Sequence, residues 1–104
     1  MRKKDWSKRP EAEYQAYLIK KLYNQLEVDM VLKNDPNYVQ GIPDLLIEKY
    51  GKVAWLEVKR SENEPHQPNQ DHYIANLDGF TSFIFPECED LIFEELRRYF
   101  ECDV

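Results

Sequence analysis

The 104-residue sequence predicts a mixed α/β domain: a mixed sheet with a central β-hairpin flanked by helices, in the order α–β–β–β–α–β–α. Three features carry that expectation. Two apolar runs, DLLIE at 44–48 and VAWLEV at 53–58, flank a KYGK turn and read as paired strands. Ahead of them, residues 10–27 carry apolar side chains at helical spacing. Behind them, the apolar run FTSFIF at 80–85 lies between two further helical stretches. Both faces of the hairpin strands are rich in apolar residues, which predicts a sheet covered on both sides.

In chain order, residues 1–9 read as a mobile basic arm, and 10–104 as one domain with room for a single modest core. Helix 10–27 starts with Pro10 at its first position and acidic residues in its first turn. Tyr14, Leu18 and Leu22 form its apolar face. VDMVLK at 28–33 reads as a short strand, and NDPN at 34–37 as a turn. After the hairpin, SENEPHQPN at 61–69 is a polar loop. QDHYIANL at 70–77 is a helix capped by Asn69 and ended by Gly79. EDLIFEELRRYF at 89–100 is a final amphipathic helix.

Composition narrows the function classes. Charged residues make up 33% and hydrophobic residues 42%, as in an ordinary folded domain. No run reaches the roughly 18 apolar residues of a membrane span. MRKKDWSKRP has no apolar stretch behind it and does not read as a signal peptide, so a cytoplasmic location is expected. Cys88 and Cys102 lack metal-ligand spacing and read as bystanders. The net charge of −6 is uneven: residues 1–60 hold 12 Lys and Arg against 9 Asp and Glu, whereas residues 61–104 hold 2 against 11. Phosphate neutralisation needs Lys and Arg, so bulk charge does not predict a general nucleic-acid binder. Only the arm (Arg2, Lys3, Lys4, Lys8, Arg9) and the pair Lys59–Arg60 suit phosphate contact.

The hairpin supplies the chemistry. A turn centred near Tyr50–Gly51 pairs residues whose numbers sum to about 101, placing Asp44 opposite Glu57. Two carboxylates at that separation repel unless a proton or a cation lies between them. A hard divalent cation such as Mg²⁺ answers the problem and keeps waters for a phosphate substrate. Lys59 follows Glu57 with period two and points to the same side. Carboxylates, cation and ammonium together suit phosphodiester hydrolysis. Gly41 permits close approach, and Pro43 fixes the entry to the strand.

Gly-x-Pro-Asp at 41–44 followed by Glu-Val-Lys at 57–59 resembles the PD-(D/E)XK nuclease superfamily. Within it, residues 11 to about 86 resemble the small stand-alone VRR-NUC domains of phages and bacteria. The resemblance implies a restriction-endonuclease-like fold and a Mg²⁺- or Mn²⁺-dependent endonuclease. It implies Asp44, Glu57 and the Val58 carbonyl as metal ligands, and Lys59 as catalytic. It also implies a catalytic Gln at the start of the following helix, where Gln70 fits better than Gln67. A first-helix carboxylate is implied too. Both Glu11 and Glu13 are available, and Glu11 shares its face with Tyr14, Leu18 and Leu22. Lys59, Arg60, Lys3 and Lys4 are the expected substrate-binding residues. Branched, flap or junction DNA in replication, repair or recombination is the implied substrate. The resemblance implies a homodimer in a bacterial or phage-infected cell, while the small size and acidic charge suit recruitment by a helicase or other replication protein. One departure stands out: the family carries more basic residues near the site, whereas loop 61–69 is acidic.

His66 and His72 lack a second ligand at suitable spacing and read as surface residues. Trp55 shares a strand face with Glu57 and is expected in the core. Trp6 can either stack on a nucleobase or dock onto the domain. Two competing classes remain open: a non-catalytic nucleic-acid or protein-binding module, and an accessory nuclease active only with a partner.

Overall fold

The computed structural model describes residues 4–34, 41–67 and 69–102. Helix α1 (Glu11–Lys21) runs into a wider π-type turn, Leu22–Leu26. Strands β1 (Met30–Lys33), β2 (Leu45–Lys49) and β3 (Lys52–Val58) follow, then α2 (Gln70–Asn76), β4 (Phe80–Ile84) and α3 (Glu89–Glu101). The strands form one mixed sheet in the spatial order β1-β2-β3-β4. β1–β2 and β2–β3 are antiparallel, and β3–β4 is parallel with α2 as the crossover.

The register of the hairpin follows from its turn. Tyr50 (φ 56°) and Gly51 (φ 76°) both take left-handed backbone, the requirement of a two-residue turn that matches strand twist. Lys49 pairs with Lys52, Leu46 with Trp55 and Leu45 with Leu56, so paired numbers sum to 101 as expected.

Leu45, Ile47, Ala54, Leu56, Val58 and Ile84 share one sheet face, and all are buried. Both long helices cover that face. From α1 and its wider turn come Tyr14, Leu18, Leu22 and Leu26; from α3 come Ile92, Phe93, Leu96 and Phe100. The α1 row repeats every four residues, which drifts about 40° per step around a regular helix. The wider last turn winds less per residue and keeps Leu26 in the core, 4% exposed.

The expectation of a sheet covered on both faces needs correction. α2 covers the second face only near β3 and β4. Along the rest, Leu32 (46%) and Met30 (37%) are exposed, and Leu46 and Trp55 are half-buried. Trp55 therefore lies on the open face, not in the core. The physical reason is that α1 and α3 are both needed on the more apolar face, and seven-residue α2 buries only Gln70.

Three local readings also change. Pro10 sits at the cap position, leaving Glu11 to open the helix. Asn69 occupies the cap position of α2 with φ 71° and makes no side-chain capping bond. Gly79 (φ 86°) serves close approach: a Cβ there would lie 2.5 Å from the Val53 carbonyl oxygen. Residues 4–9 fold back on α1 through a short 3-10 turn, Trp6–Lys8. The Trp6 ring lies 5.1 Å from both the Tyr14 and the Tyr17 rings, so it docks onto the domain. Of the turn NDPN, residues 35–37 fall outside the described residues, as do Arg2 and Lys3.

Candidate active site

The end of the sheet where β3 finishes collects the hydrophilic residues that the core excludes. Asp44 precedes β2 directly. The Asn34 amide bonds its carbonyl (2.8 Å), and the Asn34 side chain bonds the Pro43 carbonyl (2.6 Å). Pro43 itself is fully buried, and Gly41 has φ 90°. These contacts hold the approach to β2 so that Asp44 Oδ2 accepts the Val58 N–H at 2.9 Å. Glu57 lies on β3, 3% exposed, and hydrogen-bonds Asp44 through its carboxyl.

Burial, that hydrogen bond and the Asp44 charge push the Glu57 carboxyl up to about 9, against the pull of Lys59. Burial beside the Asp44 carboxylate thus favours the neutral acid form of Glu57. Two carboxyls packed together in a desolvated site favour retention of a proton by one of them.

Lys59 comes just past β3 and is 3% exposed. Its ammonium donates to Gln70 Oε1 (2.7 Å) and to the Pro65 carbonyl (3.1 Å), and lies 3.9 Å from Glu64 Oε2. Gln70 opens α2 and joins the two halves of the site. Its amide nitrogen donates to Glu57 Oε2 (2.8 Å), while its oxygen accepts from Lys59 and from the Gln67 N–H (2.7 Å). A single amide can serve a carboxyl and an ammonium at once because it is both donor and acceptor.

Glu11 and Glu13 separate as helical phase suggests. Glu11 is half-buried. Burial, Asp44 and Glu64 raise its carboxyl, with Lys59 and Arg60 acting the other way. Glu13 is exposed and pairs with Arg9 at 3.2 Å. Arg60 donates to Glu64 (2.9 Å) and to the Arg9 carbonyl (3.2 Å), tying the N-terminal turn to the loop after β3.

The other candidates lie elsewhere. Lys3 is outside the described residues. The Lys4 ammonium sits 5.1 Å over the Trp6 ring and lines a cavity of about 340 Å³ with Tyr17, Lys21 and Glu89. That cavity borders a structural network rather than the carboxyl pair. Glu89, 7% exposed, accepts from Tyr14 (3.0 Å), Tyr17 (2.7 Å) and Lys21 (2.5 Å). His66 bonds Asp71 at 2.8 Å and stacks on Phe83, while His72 lies near Asn76.

Sequence reasoning missed Glu64 and the Pro65 carbonyl. Glu64 lies four residues from Arg60, but in a loop that spacing carries no fixed geometry, so nothing in the string singles it out. As a metal site, the donor set is two adjoining carboxyls with one proton too many and the Val58 peptide against them. Among the described residues, no three His, Cys, Asp or Glu side chains converge as a ligand group. An oxygen-only set of two carboxylates fits Mg²⁺ or Mn²⁺, which retain waters, rather than Zn²⁺.

A scan of protein-family models returns no match to this chain, and neither the curated proteins nor the solved structures yield one.

Proposed function

We propose that the protein is a metal-dependent endonuclease that hydrolyses DNA phosphodiester bonds, with branched, flap or junction DNA as candidate substrates. The observation that carries this reading is the Asp44–Glu57 carboxyl pair hydrogen-bonded, through Gln70, to the buried ammonium of Lys59. Buried ionisable groups are costly, and this constellation lies where packing does not require it. Resemblance to the PD-(D/E)XK nucleases and their VRR-NUC branch rests on the same residues.

In this reading Asp44 and Glu57 hold Mg²⁺ or Mn²⁺, with the Val58 carbonyl completing the protein's share. When bound, such an ion lowers the pKa of a coordinated water and neutralises charge on the phosphate. The chain's own residues do the rest. Glu57, whose carboxyl burial holds toward the neutral form, would have to be ionised to serve as a ligand. Lys59 places a fixed positive charge at the phosphate and orients the attacking water. Gln70 keeps Lys59 and Glu57 in register. Glu11 adds a half-buried carboxylate at the edge of the site, able to accept a proton from that water.

The test is cleavage of labelled single strand, duplex, flap, splayed arm and four-way junction with Mg²⁺ or Mn²⁺. Cutting that is lost in Lys59→Ala supports the reading. A Lys59→Ala protein that cuts as well as wild type contradicts it.

A second reading, an accessory nuclease that needs a helicase or another replication protein, is favoured by the charge distribution. Residues 61–104 carry 2 basic residues against 11 acidic ones, a half of the chain that repels a phosphate backbone. Restoration of cutting by an added partner distinguishes it. No helix among the described residues is long and apolar enough to cross a membrane.

A further inference from the structure

Lys59 and Arg60 are the two cations that the proposed reaction presents to a phosphate, and one carboxylate already holds them. Glu64 Oε1 accepts from Arg60 Nε at 2.9 Å and from the Arg60 amide at 3.4 Å. Its other oxygen lies 3.9 Å from Lys59 Nζ. An ammonium has three donors. Gln70 and Pro65 take two of the Lys59 donors, and Glu64 lies within ion-pair distance of the same ammonium.

Glu64 is well placed to stay there. Its amide bonds the Ser61 carbonyl at 3.2 Å in a tight turn, and its side chain is 20% exposed. It lines an open groove of about 220 Å³ with Ser7, Arg60, Ser61, Asn63 and Pro65. The N-terminal turn forms the far wall of that groove and is tied to Arg60 through the Arg9 carbonyl. The groove is thus a polar slot in which the Glu64 carboxylate sits on the Arg60 guanidinium. One Glu64 oxygen holds the Arg60 Nε and amide together, a place that one oxygen of a phosphate can take.

We propose that Glu64 is an internal gate on the substrate site: it occupies the position of a DNA backbone phosphate at Arg60 and Lys59, and DNA must displace it to bind. This rests on the nuclease reading for the identity of the substrate, but the gate is a statement about phosphate binding alone. Closure by Glu64 explains how an acidic loop coexists with a phosphate site. It offsets part of the positive charge that Lys59 and Arg60 bring to the free site, and selects substrates whose other contacts can compensate for expelling the carboxylate.

The experiment is fluorescence anisotropy of short labelled single-stranded and duplex DNA with wild type, Glu64→Gln and Glu64→Asp, at low salt and in Ca²⁺ in place of Mg²⁺. Thermal melting of each variant verifies that it is folded. Glu64→Gln keeps the shape and the oxygen that Arg60 bonds, and removes only the charge. The expected result is binding about five- to tenfold tighter for Glu64→Gln, narrowing as salt rises, with Glu64→Asp near wild type. Steady-state cleavage in Mg²⁺ should show a lower KM for Glu64→Gln. Equal affinity of folded Glu64→Gln and wild type, or no binding by either, overturns the gate. If Glu64→Gln binds DNA more tightly but no protein cuts it, the gate stands and the nuclease reading falls. If wild type cuts but Glu64→Gln binds no better, the reverse holds.

Discussion

Replacing Glu57 by Gln should stabilise the protein in the absence of divalent metal, and the size of the gain can be worked from the site. Glu57 is 3% exposed and titrates near 9 in the fold, against an ordinary value of 4.5. An acid whose pKa is raised by folding contributes no penalty below its unfolded value. The penalty then grows as pH rises, until the folded group itself ionises. At pH 7 the chain must take up a proton to fold, about two and a half pH units above the unfolded pKa, which costs about 3 kcal/mol. That figure is set by the pH and the unfolded value, and holds for any folded pKa well above 7. Gln at this position reproduces the neutral acid: its NH₂ donates to Asp44, and its oxygen accepts from Gln70. Urea denaturation with a chelator present, between about pH 5 and 8, gives the assay. Wild type should lose about 1.4 kcal/mol per pH unit from this group, and Glu57→Gln should lack that component. Parallel pH profiles, or a Glu57→Gln protein less stable than wild type at pH 7, would refute the argument.

Two further outcomes test the frame around the site. Gly79→Ala forces a Cβ to within 2.5 Å of the Val53 carbonyl at φ 86°, and should cost about 2–4 kcal/mol by urea denaturation. A loss under about 0.5 kcal/mol would mean that the α2–β4 connection is looser than described. Glu89→Ala leaves the Tyr14 and Tyr17 hydroxyls and the Lys21 ammonium without their shared acceptor. It should destabilise by about 3 kcal/mol, measured the same way, with a small change signalling that water replaces the carboxylate.

How far the sequence disclosed this molecule differs from residue to residue. The hairpin and its register were legible because Tyr50–Gly51 suits a two-residue turn, and counting outward from it pairs Leu45 with Leu56, next to Asp44 and Glu57. Glu11 was separable from Glu13 because helical phase ties it to Tyr14 and Leu18. Gln70 was legible as the opening residue of a helix. Which face of the sheet the helices choose was not legible. Leu46 and Trp55 look as apolar as Leu45 and Ala54, and only the packing of α1 and α3 on one side leaves the former half-buried. The π-type turn escaped notice because the row Leu18, Leu22, Leu26 reads as ordinary helix. Glu64 was legible only as part of an acidic loop, since its position against Lys59 and Arg60 depends on a turn at Ser61 with no strong sequence signature. Trp6 was ambiguous until the Tyr14 and Tyr17 rings beneath it were seen.

On the proposed nuclease reading, Asp44 and Glu57 would hold a divalent ion together, and the proton that burial favours on Glu57 would leave as the ion binds. The most direct measurement is calorimetric titration of Mn²⁺ into chelator-treated protein near pH 7, repeated in buffers of different ionisation enthalpy to count protons. The account predicts binding that releases about one proton per ion, weakened about tenfold or more in Asp44→Asn. No binding at millimolar Mn²⁺, or binding without proton release that Asp44→Asn leaves unchanged, would contradict it.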